Sequence, residues 1–114
     1  MLTIDSSVPA SKFSALADPR RREIFESLVG GSRSVADIAR EMPVTRPAVS
    51  QHLKVLMDAG LVRHRVAGTR HLYRIDPAGV GAIRDYLDAL WRLALESFKQ
   101  EAERAYSETK DQQK

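Results

Sequence analysis

The stretch from Thr45 to Gly60 carries helix signals at both of its ends, and it constrains the fold more than any other part of the chain. Thr45 can cap the first turn with its hydroxyl, Pro47 is tolerated within that turn, and Gly60 suits the position just past the last one. A helix is therefore predicted over Arg46 to Ala59. Its apolar residues Val49, Leu53, Leu56 and Met57 are spaced by four, three and one, which places them on one face. Arg46, Pro47, Ser50, Gln51 and Lys54 fall opposite, on a face that is polar, carries hydrogen-bonding groups and contains no acid.

Three shorter helices are predicted upstream. After a leader at residues 1–10, expected to be disordered, Ser11 to Ala17 reads as the first, with Phe13 and Leu16 apolar. Asp18-Pro19 supplies a cap and a first-turn proline for the second, which runs to about Val29 with Ile24, Phe25, Leu28 and Val29 inward and Gly30-Gly31 as its stop. Ser34, with Asp37 three residues on, resembles a capping box and opens the third, with Val35, Ile38 and Ala39 inward, through about Met42 to the break at Pro43.

Downstream of Gly60 the period becomes extended. Leu61 to Ile75 reads as a two-stranded hairpin with Ala67-Gly68-Thr69-Arg70 as its turn. This register sets Val66 opposite His71 and His64 opposite Tyr73. Val62, His64, Val66, His71, Tyr73 and Ile75 then share one face, while Arg63, Arg65, Leu72 and Arg74 share the other. Asp76-Pro77 repeats the cap-plus-proline start, and a last helix is predicted to about Tyr106, with Val80, Ile83, Leu87, Leu90, Trp91, Ala94 and Phe98 recurring at threes and fours. Residues 107–114 read as a polar, frayed tail. The fold class is mainly α with a small β-hairpin (α+β), with about five helices and a two-stranded wing, in one domain over residues 11–106.

Composition narrows the function. A chain of 114 residues has room for one core and no second, catalytic domain. The absence of cysteine excludes a disulfide framework, thiol catalysis and thiolate metal sites. No apolar run approaches the ~20 residues of a membrane-spanning helix, and Met1 to Ala10 lacks the basic and apolar regions of a secretory signal, so a cytoplasmic protein is expected. The net charge of +3 conceals an asymmetry: residues 20–74 hold eleven Lys/Arg against five acids, whereas the remainder is acidic. A polyanionic partner for the middle segment fits this distribution, as does a solvated basic surface.

Two short helices joined by a tight turn, the second with an acid-free polar face, followed by a basic hairpin, make a winged helix-turn-helix. In the major groove of duplex DNA, guanine offers paired acceptors and adenine a donor–acceptor pair, which Arg46 and Gln51 can match bidentately. Ser50, Thr45 and Lys54 suit phosphate oxygens, with Pro47 and His52 on the same helix. Arg65, Thr69 and Arg70 extend this candidate DNA-binding set into the wing, Arg70 reaching along the backbone or into a minor groove.

The run Ala15-Leu16-Ala17-Asp18-Pro19-Arg20, then Ile38-Ala39, then Thr45 through Leu56, and Ala59-Gly60-Leu61-Val62 with Gly68 and Tyr73, resembles the arsenic-repressor (ArsR) family of bacterial winged-helix transcriptional regulators. The resemblance covers roughly residues 11–100. It implies a homodimer paired through its first and last helices, and repression by occupying a palindromic promoter site. Metal-sensing members carry cysteines in the helix before the recognition helix, or His, Asp and Glu ligands in the last one. Cysteine is absent here and residues 77–106 contain no histidine, so the resemblance points to the branch that senses no metal, with no cofactor and no metal as inducer.

A helix of about 30 residues is about 45 Å long at ~1.5 Å per residue, whereas a 100-residue domain has a radius of gyration of only ~13 Å. Such a helix outruns its own core, so its apolar stripe is expected to find a second copy. The candidate dimer residues are Phe13, Leu16, Ile83, Leu87, Leu90, Trp91, Ala94 and Phe98. Trp91, Tyr86 and Phe98 read as interface and core rather than as an effector pocket. Ser50 and His52 do not form a catalytic pair, because residues two apart on a helix diverge by about 200°; His52 reads as a half-buried packing residue or a DNA-backbone contact, and no enzyme is expected. His64 and His71 read as inward-packed rather than as metal ligands, for want of a third ligand. Arg20-Arg21-Arg22 reads either as a phosphate contact or as a solvated face paired with Glu23 and Glu26. The alternative to a DNA-binding repressor is a winged-helix module for protein or RNA.

Overall fold

The computed structural model describes residues 8–112. In chain order its elements are α1 (Ala10–Ala17), α2 (Pro19–Ser27), α3 (Val35–Glu41), α4 (Arg46–Asp58), β1 (Val62–Ala67), β2 (Arg70–Ile75) and α5 (Pro77–Gln112). The expected leader at 1–10 lies outside the described residues except at its end, where Ala10 already begins α1. Two compact units divide the chain: one holds Pro9–Ile83, the other is carried by α5 from Arg84 onward.

Helices α2, α3 and α4 each begin where a side chain takes over the work of a missing helical carbonyl, whereas α1 starts after Pro9 without a side-chain cap. The Asp18 carboxylate accepts from the Arg21 amide at 2.9 Å, and Thr45 Oγ1 accepts from the Ala48 amide at 3.3 Å. Ser34 and Asp37 form a full capping box, the Asp37 amide donating to Ser34 Oγ at 3.1 Å and the Ser34 amide to Asp37 Oδ2 at 3.4 Å. The core these helices enclose is built from Ile24 and Leu28 of the second helical segment, Ile38 of α3, Val49, Leu53 and Leu56 of α4, and Leu61 at the foot of the hairpin, all buried. At roughly 1.5–3 kcal/mol for each large apolar side chain removed from water, this cluster is what holds α4 in place. Val29 departs from the expected inward set: α2 ends at Ser27, the helical period lapses, and Val29 is exposed.

The hairpin has the register expected from its turn. Val62↔Ile75, His64↔Tyr73 and Val66↔His71 are paired, and Gly68 takes φ +65 in the two-residue loop with Thr69. A further pairing was invisible to local pattern: Arg33 exchanges both backbone hydrogen bonds with Tyr73, at 2.9 and 2.8 Å, so β2 is flanked by β1 on one side and by the loop before α3 on the other. The wing is thereby sewn to the helix-turn-helix.

The chain turns from β2 into α5 beside Gly60, where the Asp76 amide donates to the Leu61 carbonyl at 2.9 Å. The last helix runs six residues beyond the expected end at Tyr106, because residues 107–112 contain neither proline nor glycine to stop it; Thr109 Oγ1 donates to the Ala105 carbonyl at 3.0 Å. The expected tail is thus helical as far as Gln112, and its last two positions lie outside the described residues. No helix among the described residues is long and apolar enough to cross a membrane.

Candidate nucleic-acid interface

With Val49, Leu53 and Leu56 buried, the geometry of an α-helix leaves the opposite side of α4 to solvent. Thr45, Arg46, Pro47, Ser50, Gln51 and Lys54 are all exposed, and His52 is half-buried between the two faces, as its position predicts. The polar ends of Arg46, Ser50, Gln51 and Lys54 make no hydrogen bond or ion pair to other described residues. Thr45 spends its hydroxyl on the cap.

The eleven basic residues of the middle segment divide by what already occupies them. Arg20 pairs with Glu23 at 2.9 Å, Arg22 lies 4.0 Å from Glu26, and Arg21 and Arg22 donate to the carbonyls of Ala15 and Leu16 at the end of α1. Arg20 and Arg22 therefore pair with local acids, as the solvated alternative open in the sequence had it, while Arg21 is half-buried and joins Arg22 in closing the C-terminus of α1. Arg33 pairs with Glu41 at 2.7 Å and Arg40 with Asp37 at 2.6 Å. Arg46, Lys54, Arg63, Arg65 and Arg74 have no such partner among the described residues. The cations left over for an external anion thus lie on α4 and on the hairpin, beside the acid-free face.

Arg70 is the exception in the wing. Its Nη2 lies 3.1 Å from Asp37 Oδ2 and 3.4 Å from Ser34 Oγ, so the residue proposed for the DNA backbone is engaged by the capping box of α3. Asp37 is correspondingly held below the usual carboxylate range, chiefly by hydrogen bonds from the Ser34 hydroxyl and amide and then by the charges of Arg70 and Arg40. Thr69 and Arg65 are exposed.

His64 and His71 depart from the expected inward packing. Both are exposed, because burial along their face ends at Tyr73, nearer the foot of the hairpin. Their rings stack with centroids 5.1 Å apart, His64 Nε2 lies 2.8 Å from His71 Nδ1, and His64 also stacks on Tyr73 at 5.3 Å. No group of three or more potential metal ligands occurs among the described residues.

The dimer candidates separate by exposure. Leu87, Trp91 and Phe98 are 50%, 66% and 70% exposed, and Ala94 is exposed beside them. Leu95 and Tyr106, at 50% and 70%, belong to the same helix, and its three-and-four period reaches them beyond the expected set. Leu90 is half-buried, Phe13 is exposed, and Leu16 and Ile83 pack against the core of the first unit.

Comparison with known proteins places this geometry among regulators. Residues 18–64 match the family of bacterial regulatory proteins described as the arsR family. An HTH-type transcriptional regulator of Mycobacterium tuberculosis is 51% identical over 92 residues, covering 81% of this chain and 86% of that protein. The arsenical resistance operon repressor of Bacillus subtilis is 36% identical over 83 residues, covering 71% and 79%. Among solved structures, the homodimeric winged helix-turn-helix DNA-binding domain of a possible ArsR-family regulator from Mycobacterium bovis superposes with a TM-score of 0.60 at 33% identity, covering 77% of this chain and 82% of that one.

Proposed function

The chain belongs to the arsR family of bacterial regulatory proteins, and from that membership we propose that it represses transcription by holding a palindromic promoter site as a homodimer, with α4 as the reading helix. It is a winged helix-turn-helix transcriptional regulator that binds DNA, and not an enzyme. One observation carries the assignment of the reading surface: an exposed, acid-free helix face on which Arg46 and Gln51 have no partner within the described chain.

Arg46 and Gln51 lie in the first half of α4 and read base edges; Ser50, Lys54 and the wing residues Arg65, Thr69 and Arg70 hold phosphates, with Thr45, Pro47 and His52 fixing the approach of the helix. In the dimer, paired through the exposed α5 residues Leu87, Trp91, Ala94 and Phe98, the two reading helices address half-sites about one helical turn apart, roughly 34 Å. The protein acts where bacterial DNA is, in the cytoplasm. A protein-docking helix would need a cluster of apolar anchors on the same face; Val55 is the lone exposed large hydrophobic residue of α4. The test is selection of bound duplexes from a random pool. An inverted repeat whose preference relaxes at one or two positions in Arg46→Ala supports the reading, and a pool that remains random overturns it.

A further inference from the structure

An open groove of about 390 Å³ runs between the wing and the helix-turn-helix, lined by Ser34, Val35 and Ala36 at the start of α3, Ser50 of α4, and His71 and Tyr73 of β2. Ser50 belongs both to this groove and to the exposed reading face, so the two surfaces are continuous. With α4 in a major groove and the Gly68-Thr69 loop at the neighbouring minor groove, the sugar-phosphate strand that separates the two must pass between α4 and the wing. Among its described lining residues the polar groups are hydroxyls and an imidazole, with no carboxylate and no permanent cation.

We propose that the His64–His71 couple is a proton-dependent phosphate contact: a backbone phosphate enters the groove, and the couple takes up one proton per protomer to meet it. This rests on the reading that α4 enters the major groove.

The couple is suited to carrying a single proton. With His64 Nε2 and His71 Nδ1 2.8 Å apart, one nitrogen donates and the other accepts, so two N–H groups cannot face each other along that line. A proton added at an outer nitrogen makes the pair a cation and leaves this hydrogen bond intact; a second proton would break it. The singly charged phosphodiesters of a DNA backbone favour the protonated form of an imidazole brought beside them.

The surroundings do not satisfy that charge beforehand. From the hairpin, Tyr73 stacks on His64, and Arg70 turns its guanidinium to α3. From α3, the acids are Asp37, whose oxygens are occupied by Arg40, Arg70 and the Ser34 amide, and Glu41, which pairs with Arg33; from α4, Ser50 is neutral. Val66 shares the hairpin face and brings no charge.

The experiment measures the Kd of the full chain for the selected duplex between pH 6 and 8.2 at fixed ionic strength. Affinity should rise as pH falls, with a slope of log Kd against pH approaching one per bound protomer where binding takes up a full proton. His71→Gln and the His64→Gln/His71→Gln double variant should flatten that slope. His71→Lys, a permanent cation, should bind with an affinity that changes little with pH over the same range. A flat wild-type profile, or a slope that persists in the double variant, overturns the proposal while leaving α4 as the reader. Failure to bind any selected duplex at any pH is instead the failure of the underlying DNA reading. Calorimetry in two buffers of different ionisation enthalpy counts the protons directly; zero uptake is also fatal to it.

Discussion

Asp37 of α3 holds Arg70 of β2 by a 3.1 Å ion pair across 33 residues of sequence, so the cap that starts one helix also anchors the wing. Duplex phosphates must compete with Asp37 for Arg70. Asp37→Asn keeps an acceptor for the capping box and removes the competing charge. It should raise affinity for random duplexes severalfold and change the preference between cognate and scrambled duplexes little, as read by fluorescence anisotropy at two salt concentrations.

Asp37 and Asp18 also set the acid limit of the fold. The Arg21 amide, more than any other group, holds Asp18 below the ordinary carboxylate range, and the Ser34 hydroxyl does the same for Asp37. A carboxyl with a lowered folded pKa stabilises the fold above its unfolded value, near 3.9, and loses that contribution as pH falls through the folded one. Urea midpoints should therefore be level between pH 5 and 8 as far as these two groups decide, then fall below about pH 4. Asp18→Asn and Asp37→Asn should each make that fall shallower.

Gly79 in the first turn of α5 is as constrained as any residue of the first unit. A Cβ there would run into the carbonyl of Gly60, which is backbone and cannot swing aside, whereas a Cβ on Gly81 meets nothing within 4 Å. Gly79→Ala should cost about 3 kcal/mol, the upper end of overpacking, and lower the melting temperature by about 10 °C or more. Gly81→Ala should be neutral or raise stability by about 0.5–1 kcal/mol, since alanine suits a helix interior better. Thermal melts of the pair check both.

What could be read from the sequence was local. Thr45, Pro47 and Gly60 mark α4 because caps and breakers act within a turn, and the hairpin register follows from where its two-residue loop sits. Arg33 bridging Tyr73, Arg70 bound to Asp37 and the close approach of Gly79 to Gly60 all join segments that meet only after folding. The exposure of His64 and His71 escaped for a related reason. Alternation assigns a residue to a face of a strand, but how far along that face the core extends is decided by α3 and α4. The exposure of the polar face of α4 was legible, because an acid-free polar stripe on a helix is itself a local pattern; which arginines remained without an acid partner was not.

Assembly should depend on side chains that cost the single chain little to change. Trp91 and Phe98 are 66% and 70% exposed, so Trp91→Asp and Phe98→Asp should preserve the far-ultraviolet circular dichroism of the protein while dissociating the dimer. Sedimentation velocity at tens of micromolar should show wild type as a dimer and either variant as a monomer. A wild-type monomer would remove the α5 pairing and with it the expected spacing of half-sites.

The last prediction separates the residues that read from those that hold. Arg46 and Gln51 face base edges, so alanine at either should cost about 1–3 kcal/mol on the cognate duplex and much less on a scrambled one. Lys54 and Arg65 have no acid to release before meeting phosphate. Their alanine variants should weaken cognate and scrambled duplexes alike, each flattening the log–log salt dependence by about one ion, following a slope near −0.9 per phosphate neutralised. Arg70→Ala should flatten it by less, because Asp37 already compensates that charge in the free protein; in the Asp37→Asn background the loss on removing Arg70 should grow toward the full value. Salt titrations of both duplexes with Arg46→Ala, Lys54→Ala and Arg70→Ala decide the matter. If Arg46→Ala lowers affinity equally for both duplexes while Lys54→Ala erodes sequence preference, then α4 contributes charge and another surface does the reading.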